Sequence, residues 1–426
     1  MMPTVQDPTE ARRVLSALRQ MPSAPKDLAH AFNVATEGLL DALEKHYFRE
    51  ALAQGISTFK YVQGYYGSGK SQFIHSLAAR AWRNMVATSI VQIGTDCPFN
   101  SPSAIYQAVM RHIKYPDRAA HEGRLAGLET LIDAWVDRQI AGATGYERTR
   151  RIETARRSVQ RDLHRVRDTQ MSIALRHLVM DKLDEIAGVT PSQRHMDLLA
   201  WVRGERVAAP RLKMLGLTKP VNDQNAANRL KTVLAFLRER LVLRGVMIAF
   251  DEGGRTGSIK KGSLKQRQAI ENMLGMINDQ AEGEYEGTIF LYAATPEFRN
   301  NVILNYEALQ ERIGSDAFNA GCPMVPLIDL DNLDTVELIT KLGHRLLELA
   351  EVAYGIRWDW PVQAANIKTL VDAEHASFGL GPEIRRSFVF HFSTLLDLQR
   401  HAQSLLSMQD ALGLINDNPA PEQRIQ

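Results

Sequence analysis

Eight residues constrain this chain more than any others: Gly64-Tyr65-Tyr66-Gly67-Ser68-Gly69-Lys70-Ser71. They satisfy GxxxxGK[ST] without a mismatch, behind a β-rich run from Phe59 to Gln63 and ahead of an apolar helical stretch from Lys70 to Trp82. The order strand, glycine loop, helix lets backbone N–H groups wrap a phosphate, and the helix N-terminus adds positive partial charge. In this pattern Lys70 reaches the β- and γ-phosphates of a nucleotide and Ser71 holds Mg2+. A glycine turn that binds nothing is the competing reading, and the strand and helix around the loop weigh against it.

The rest of the chain supplies the sheet such a loop needs. Further strand-like runs are Ala87 to Thr95, Val246 to Phe250, Thr288 to Thr295 and Pro323 to Asp329, with helical stretches between them. One of these helices is predicted from Ser101, its N-cap, to His112. Strands alternating with helices predict an α/β fold with a parallel sheet. The run Val246 to Phe250 is apolar and ends in Asp251 and Glu252, the form of a Walker B segment. At the carboxyl edge of a sheet Asp251 is placed for the Mg2+ shell, and Glu252 for orienting and deprotonating a water. A buried strand that ends in a solvated acidic turn has the same pattern; the phosphate loop upstream favours the first reading.

Three further positions attract interest. Thr295 closes the next strand, where its hydroxyl is a candidate contact for the γ-phosphate or the attacking water, or a simple strand cap. Arg312, beyond that strand, is a candidate to reach a neighbouring subunit's site and stabilise charge on the transferring phosphoryl group. Its alternative is a surface arginine paired with Glu311 or Glu307, and Arg299 is a weaker candidate for the same catalytic role. Arg385 and Arg386 open a helix in the C-terminal region, from which one of them can fold back onto the nucleotide.

Composition narrows compartment and partners. Apolar residues at 45% and charged residues at 23% of 426 describe an ordinary globule, neither a disordered polymer nor a membrane protein. No run approaches the roughly 18 apolar residues of a spanning helix, and the start MMPTVQDPTEARR lacks an apolar segment after its charges, so a cytoplasmic protein is expected. Cys97 and Cys322 are far apart and without CxxC spacing, which argues against a disulfide framework or a cysteine zinc site. A net charge of +2 does not by itself indicate nucleic-acid binding. One local asymmetry stands out. From Arg138 to Arg176 there are ten arginines, no lysine and four acids, and Arg150, Arg157, Arg161 and Arg165 fall at helical spacing on one face. Such a stripe can track the phosphate backbone of DNA, or it is a solvated face with pairs such as Glu153 with Arg157.

With these motifs in this order the chain resembles an AAA+ ATPase, and more narrowly the ATP-binding proteins of BREX-type phage-defence systems, the BrxD-like family. The resemblance runs from EARRVLSALR through GYYGSGKS, LLAWVRGERVAAPRLKMLGL, IAFDE, ATPEF and YEALQERI to GPEIRRSF. It implies an AAA+ type parallel sheet flanked by helices. The expected layout is an N-terminal helical segment (1–55), a nucleotide-binding domain (56–330) with a large helical insertion at about 120–244, a C-terminal all-helical lid (331–415) and a disordered tail (416–426). It implies Mg-ATP hydrolysis at the subunit interfaces of a homo-oligomer, in company with a helicase or nuclease and on or near DNA. The span from Lys70 to Asp251 is longer than a minimal core needs, and the insertion accounts for it. The lid sequence GPEIRR leaves the choice between Arg385 and Arg386 open. Two other functions remain: a slowly hydrolysing, nucleotide-dependent assembly switch, and a DNA-transaction ATPase outside defence, such as a helicase loader or transposition regulator.

Overall fold

In the computed structural model the described residues are 5–418, except 21–24, 26–27, 30, 32, 35, 95–96, 117–125, 189–192, 252–261, 320, 332–335 and 380–383. Among them six strands form one sheet: β1 (Thr58–Gln63), β2 (Val86–Gln92), β3 (Ile113–Lys114), β4 (Gly245–Asp251), β5 (Thr288–Ala294) and β6 (Leu327–Asp329). Their order is β3-β2-β4-β5-β1-β6, and every neighbouring pair is parallel except β2 with β3. The fold is α/β, of the AAA+ kind. Because five strands run the same way, Gln63, Gln92, Asp251, Ala294 and Asp329 end along one edge, where open α/β sheets bind their ligands.

The period of two along each strand divides the apolar residues between the two faces. On β4, Val246, Ile248 and Phe250 join one core with insertion residues such as Leu131, Leu175 and Leu230. Met247 and Ala249 join the other, with Phe73, Ile74 and Leu77 of the helix Lys70–Arg83. The helices between β3 and β4 therefore cover one face of the sheet, and the helix after the glycine loop covers the other. A third core joins the first helix, Pro8–Gln20, to the helices Val336–Tyr354, Trp360–Phe378, Ile384–Gln399 and Met408–Asp417. Arg12 Nε donates to Ala353 O at 2.6 Å, and Arg19 pairs with Asp397. The N-terminal helix thus packs with the C-terminal helices.

Local differences from the sequence expectation have physical causes. The expected strand Pro323 to Asp329 is regular only over Leu327–Asp329, since Pro323 and Pro326 have no N–H for a ladder. Pro326 O still accepts from Tyr61 N at 2.9 Å. Lys60, buried on β1, adds to this join by donating to Pro323 O at 2.8 Å and Val325 O at 2.9 Å, and burial lowers its pKa to about 7. β2 ends at Gln92, and Thr95 lies outside the described residues. Ser101 caps its helix as expected, accepting from Ala104 N at 3.3 Å. The last helix continues to Asp417, and residues 419–426 of the expected tail lie outside the described residues.

The arginine stripe needs correction. The helix carrying it spans Gly145–Gln160, so Arg161 and Arg165 follow it rather than sharing its face. Leu163 is buried just beyond, and the guanidinium of Arg240 takes the carbonyls of Arg161 and Asp162. These long-range bonds replace the helical ones that the local sequence would otherwise continue. Nor does Glu153 pair with Arg157: its partner is Arg156, at 2.8 Å.

Candidate functional site

The loop 64–71 leaves β1 at the carboxyl edge of the sheet, and its shape depends on glycine. A Cβ on Gly64 would lie 2.1 Å from Ser68 Oγ, and Gly69 has φ +88° as it opens the helix Lys70–Arg83. A side chain is excluded by contact at the first position and strained at the second. No side chain caps this helix, so the N–H groups of its first turn are left for an anion. Ser68 is buried and its hydroxyl has no hydrogen-bond partner among the described residues.

The ionic groups converge on the same edge. Ser71 Oγ donates to Asp251 Oδ2 at 2.6 Å, joining the loop to the end of β4 although β5 lies between β4 and β1. Asp251 is 3% exposed. Lys70 Nζ donates to Gly64 O at 2.5 Å and Tyr65 O at 2.7 Å, so its ammonium lies over the mouth of its own loop. Thr295 is half-buried directly after β5 and beside the loop, since Gly64 N donates to Ala294 O at 3.2 Å; its side chain makes no capping bond to the helix it precedes. Glu252 follows Asp251 but lies outside the described residues.

Both arginines of the C-terminal helix reach the loop. Arg385 Nη1 donates to Ser68 O at 2.6 Å, and the Arg386 guanidinium lies over the Tyr66 ring at 4.6 Å. Their helix, Ile384–Gln399, belongs to the C-terminal core, so that core meets the glycine loop directly. The strand, the glycine loop, the Ser71–Asp251 bond and the Arg385 contact occur in one chain, and the family described as BREX system ATP-binding protein BrxC/D matches residues 7–412 of it.

The chain belongs to this BrxC/D family. Comparison with curated proteins and with solved structures gives no match. As a BrxC/D-family chain it is a BREX system ATP-binding protein. Among the described residues no helix is long and apolar enough to cross a membrane.

Sequence reasoning missed one support of the BrxC/D loop. Asp331 Oδ1 accepts from Tyr65 N at 2.8 Å, and Gln63 Nε2 donates to Asp329 Oδ2 at 3.3 Å. The acids of Leu327-Ile328-Asp329-Leu330-Asp331 thus hold the first turn of the loop from the neighbouring strand. The available signal was an apolar strand ending in acids, the same signal that singled out Asp251. Arg312 and Arg299 lie apart from this cluster of contacts. Arg312, exposed on the helix Glu307–Ile313, donates through Nε to Asn278 Oδ1 at 3.2 Å and pairs with neither Glu307 nor Glu311. Arg299 is turned inward, donating to Gly314 O at 3.1 Å.

Proposed function

We propose that this BREX system ATP-binding protein hydrolyses Mg-ATP at the interfaces of a homo-oligomer, in the service of defence-system partners that act on or near DNA. The observation that carries the reading is the Ser71 Oγ to Asp251 Oδ2 bond of 2.6 Å, beside a glycine loop with an uncapped helix N-terminus. A hydroxyl and a carboxylate held together are hard oxygen donors of the kind Mg2+ takes alongside phosphate oxygens. Bound there, Mg2+ would neutralise charge on the β- and γ-phosphates. The residues of the loop from Gly64 to Ser71 wrap the phosphates, Lys70 exchanges its two carbonyl partners for phosphate oxygens, and Glu252 takes the proton of the attacking water. Thr295 positions that water or the γ-phosphate. Steady-state ATPase assays with and without Mg2+ test this, and Mg2+-independent turnover would overturn it.

Arg385 is the lid residue that senses nucleotide: its Nη1 donates to Ser68 O of the loop backbone, whereas the Arg386 guanidinium lies over the Tyr66 ring. Arg385→Ala is expected to weaken ATP binding about tenfold or more, since a hydrogen bond to a charged group is worth roughly 1.5–3 kcal/mol. Arg386→Ala is expected to cost less than about fivefold, as a cation–π contact to an exposed ring such as Tyr66 is worth roughly 0.5–1 kcal/mol. Nucleotide titration that reverses this order would assign the role to Arg386.

Arg312 acts in trans. Its exposure and single weak contact support an arginine available to a neighbour. Arg312→Ala is expected to bind ATP normally and hydrolyse it poorly. Adding Lys70→Ala subunits, which keep Arg312, should restore part of the activity. Mixing that restores nothing would place Arg312 in cis or in a structural role.

A further inference from the structure

Every acid in the arginine-rich part of the insertion already has a partner. Glu147 pairs with Arg151 at 2.5 Å, Glu153 with Arg156 at 2.8 Å, Asp162 with Arg176 at 2.8 Å and Asp168 with Arg229 at 3.0 Å. Two more arginines are engaged across the fold, Arg165 by Glu286 at 3.4 Å and Arg167 by Glu284. What remains is uncompensated positive charge. Arg150, Arg157 and Arg161 are exposed, and none has a side-chain hydrogen bond or ion pair to another described residue.

Their placement on the helix Gly145–Gln160 is ordered. Ile152, Ala155 and Val159 are the buried residues of this helix and mark its inner side. At 100° per residue, Arg150 and Arg157 point the opposite way, two turns apart, and Tyr146 shares that side one turn earlier. Tyr146 is 85% exposed. Arg161 lies just past the helix end, where the backbone is already extended. A solvated helix would be expected to pair such arginines with the acids three or four residues away; here those acids are taken by other arginines. An exposed aromatic ring in line with free guanidinium groups has a specific complement. The phosphates of a nucleic acid match the cations, and an unpaired base offers a face for the ring, which a duplex does not.

We propose that the outward face of the helix Gly145–Gln160, through Tyr146, Arg150 and Arg157, together with the exposed Arg161 that follows the helix, binds a single nucleic-acid strand. The inference rests on the proposed function only for the presence of DNA near the protein, and the nucleotide site enters no step of it. The test uses the full chain and a fluorescent oligothymidylate, titrated across salt concentrations. Replacing Arg150, Arg157 and Arg161 together by Gln is expected to flatten the slope of log affinity against log salt by about 2, at roughly 0.7 per lost phosphate contact. Tyr146→Ala is expected to weaken binding by about fivefold or more with the slope unchanged, since stacking is not ionic. Arg151→Gln, one residue away but paired with Glu147, is expected to leave the slope alone. An unchanged slope in the triple variant overturns the proposal, and so does an equal loss in Arg151→Gln, which would show a general charge effect. Tighter binding of a duplex of the same length, insensitive to Tyr146→Ala, overturns the single-strand assignment. ATP binding by the triple variant should equal wild type. Loss of ATP binding by Lys70→Ala is a separate result that bears only on the nucleotide site.

Discussion

Lys70→Ala is expected to raise the dissociation constant for ATP by about 100-fold or more while the fold remains intact. The ammonium bonds to Gly64 O at 2.5 Å and Tyr65 O at 2.7 Å, both neutral acceptors. A β- or γ-phosphate oxygen carries charge and attracts the same ammonium more strongly. At roughly 1.5–3 kcal/mol for each hydrogen bond to a charged group, loss of two such contacts amounts to about 100-fold even at the low end. The loop keeps its other supports without Lys70: the Ser71–Asp251 bond, the Tyr65–Asp331 bond and the Arg385 contact to Ser68 O. Calorimetry without nucleotide should therefore give a melting temperature within a few degrees of wild type. An unchanged dissociation constant in a folded variant would reject the loop as the phosphate site.

The parts of this site that could be read in the sequence are those whose chemistry is local. A glycine loop between a strand and a helix, and an apolar strand that ends in Asp251, each carry their meaning within about ten residues. Periodicity was a good guide to β4 and β5, because both faces of these strands are buried and the runs are continuous. It was a poor guide to β6, where two prolines shorten the ladder, and to the end of the arginine helix, where Arg240, far along the chain, supplies hydrogen bonds that stop the helix at Gln160.

Long-range pairings were the least legible. The amphipathic helix Pro8–Gln20 announced an apolar face that needed cover, but not that the cover would come from the C-terminal helices. The sequence GPEIRR likewise showed two adjacent arginines of equal standing. Neighbours on a helix point about 100° apart, so the choice between them depends on how the C-terminal core is set against the loop. In the fold that setting gives Arg385 the Ser68 carbonyl and sets Arg386 over the Tyr66 ring. The Asp331–Tyr65 bond is hidden in the sequence for the same reason, because Tyr65 is brought to Asp331 only by the parallel pairing of β1 with β6.

Glu252→Gln is expected to bind ATP as wild type does, within about threefold, and to lose turnover by roughly 100- to 10,000-fold, the usual contribution of a general base. The amide can still accept a hydrogen bond from the attacking water but cannot take its proton. The residue before Glu252 in the sequence, Asp251, ends β4 at the ligand edge, buried and bonded to Ser71. Asp251→Asn should behave differently, since it weakens the hold on Mg2+ and so impairs nucleotide binding as well as turnover. The two variants therefore separate the roles: binding kept and chemistry lost for Glu252, both impaired for Asp251. Hydrolysis by Glu252→Gln at the wild-type rate would place the base elsewhere, with Thr295 then positioning a water activated by a different group. If Glu252→Gln lost ATP binding to the same degree as Asp251→Asn, Glu252 would belong to the metal shell rather than to proton transfer.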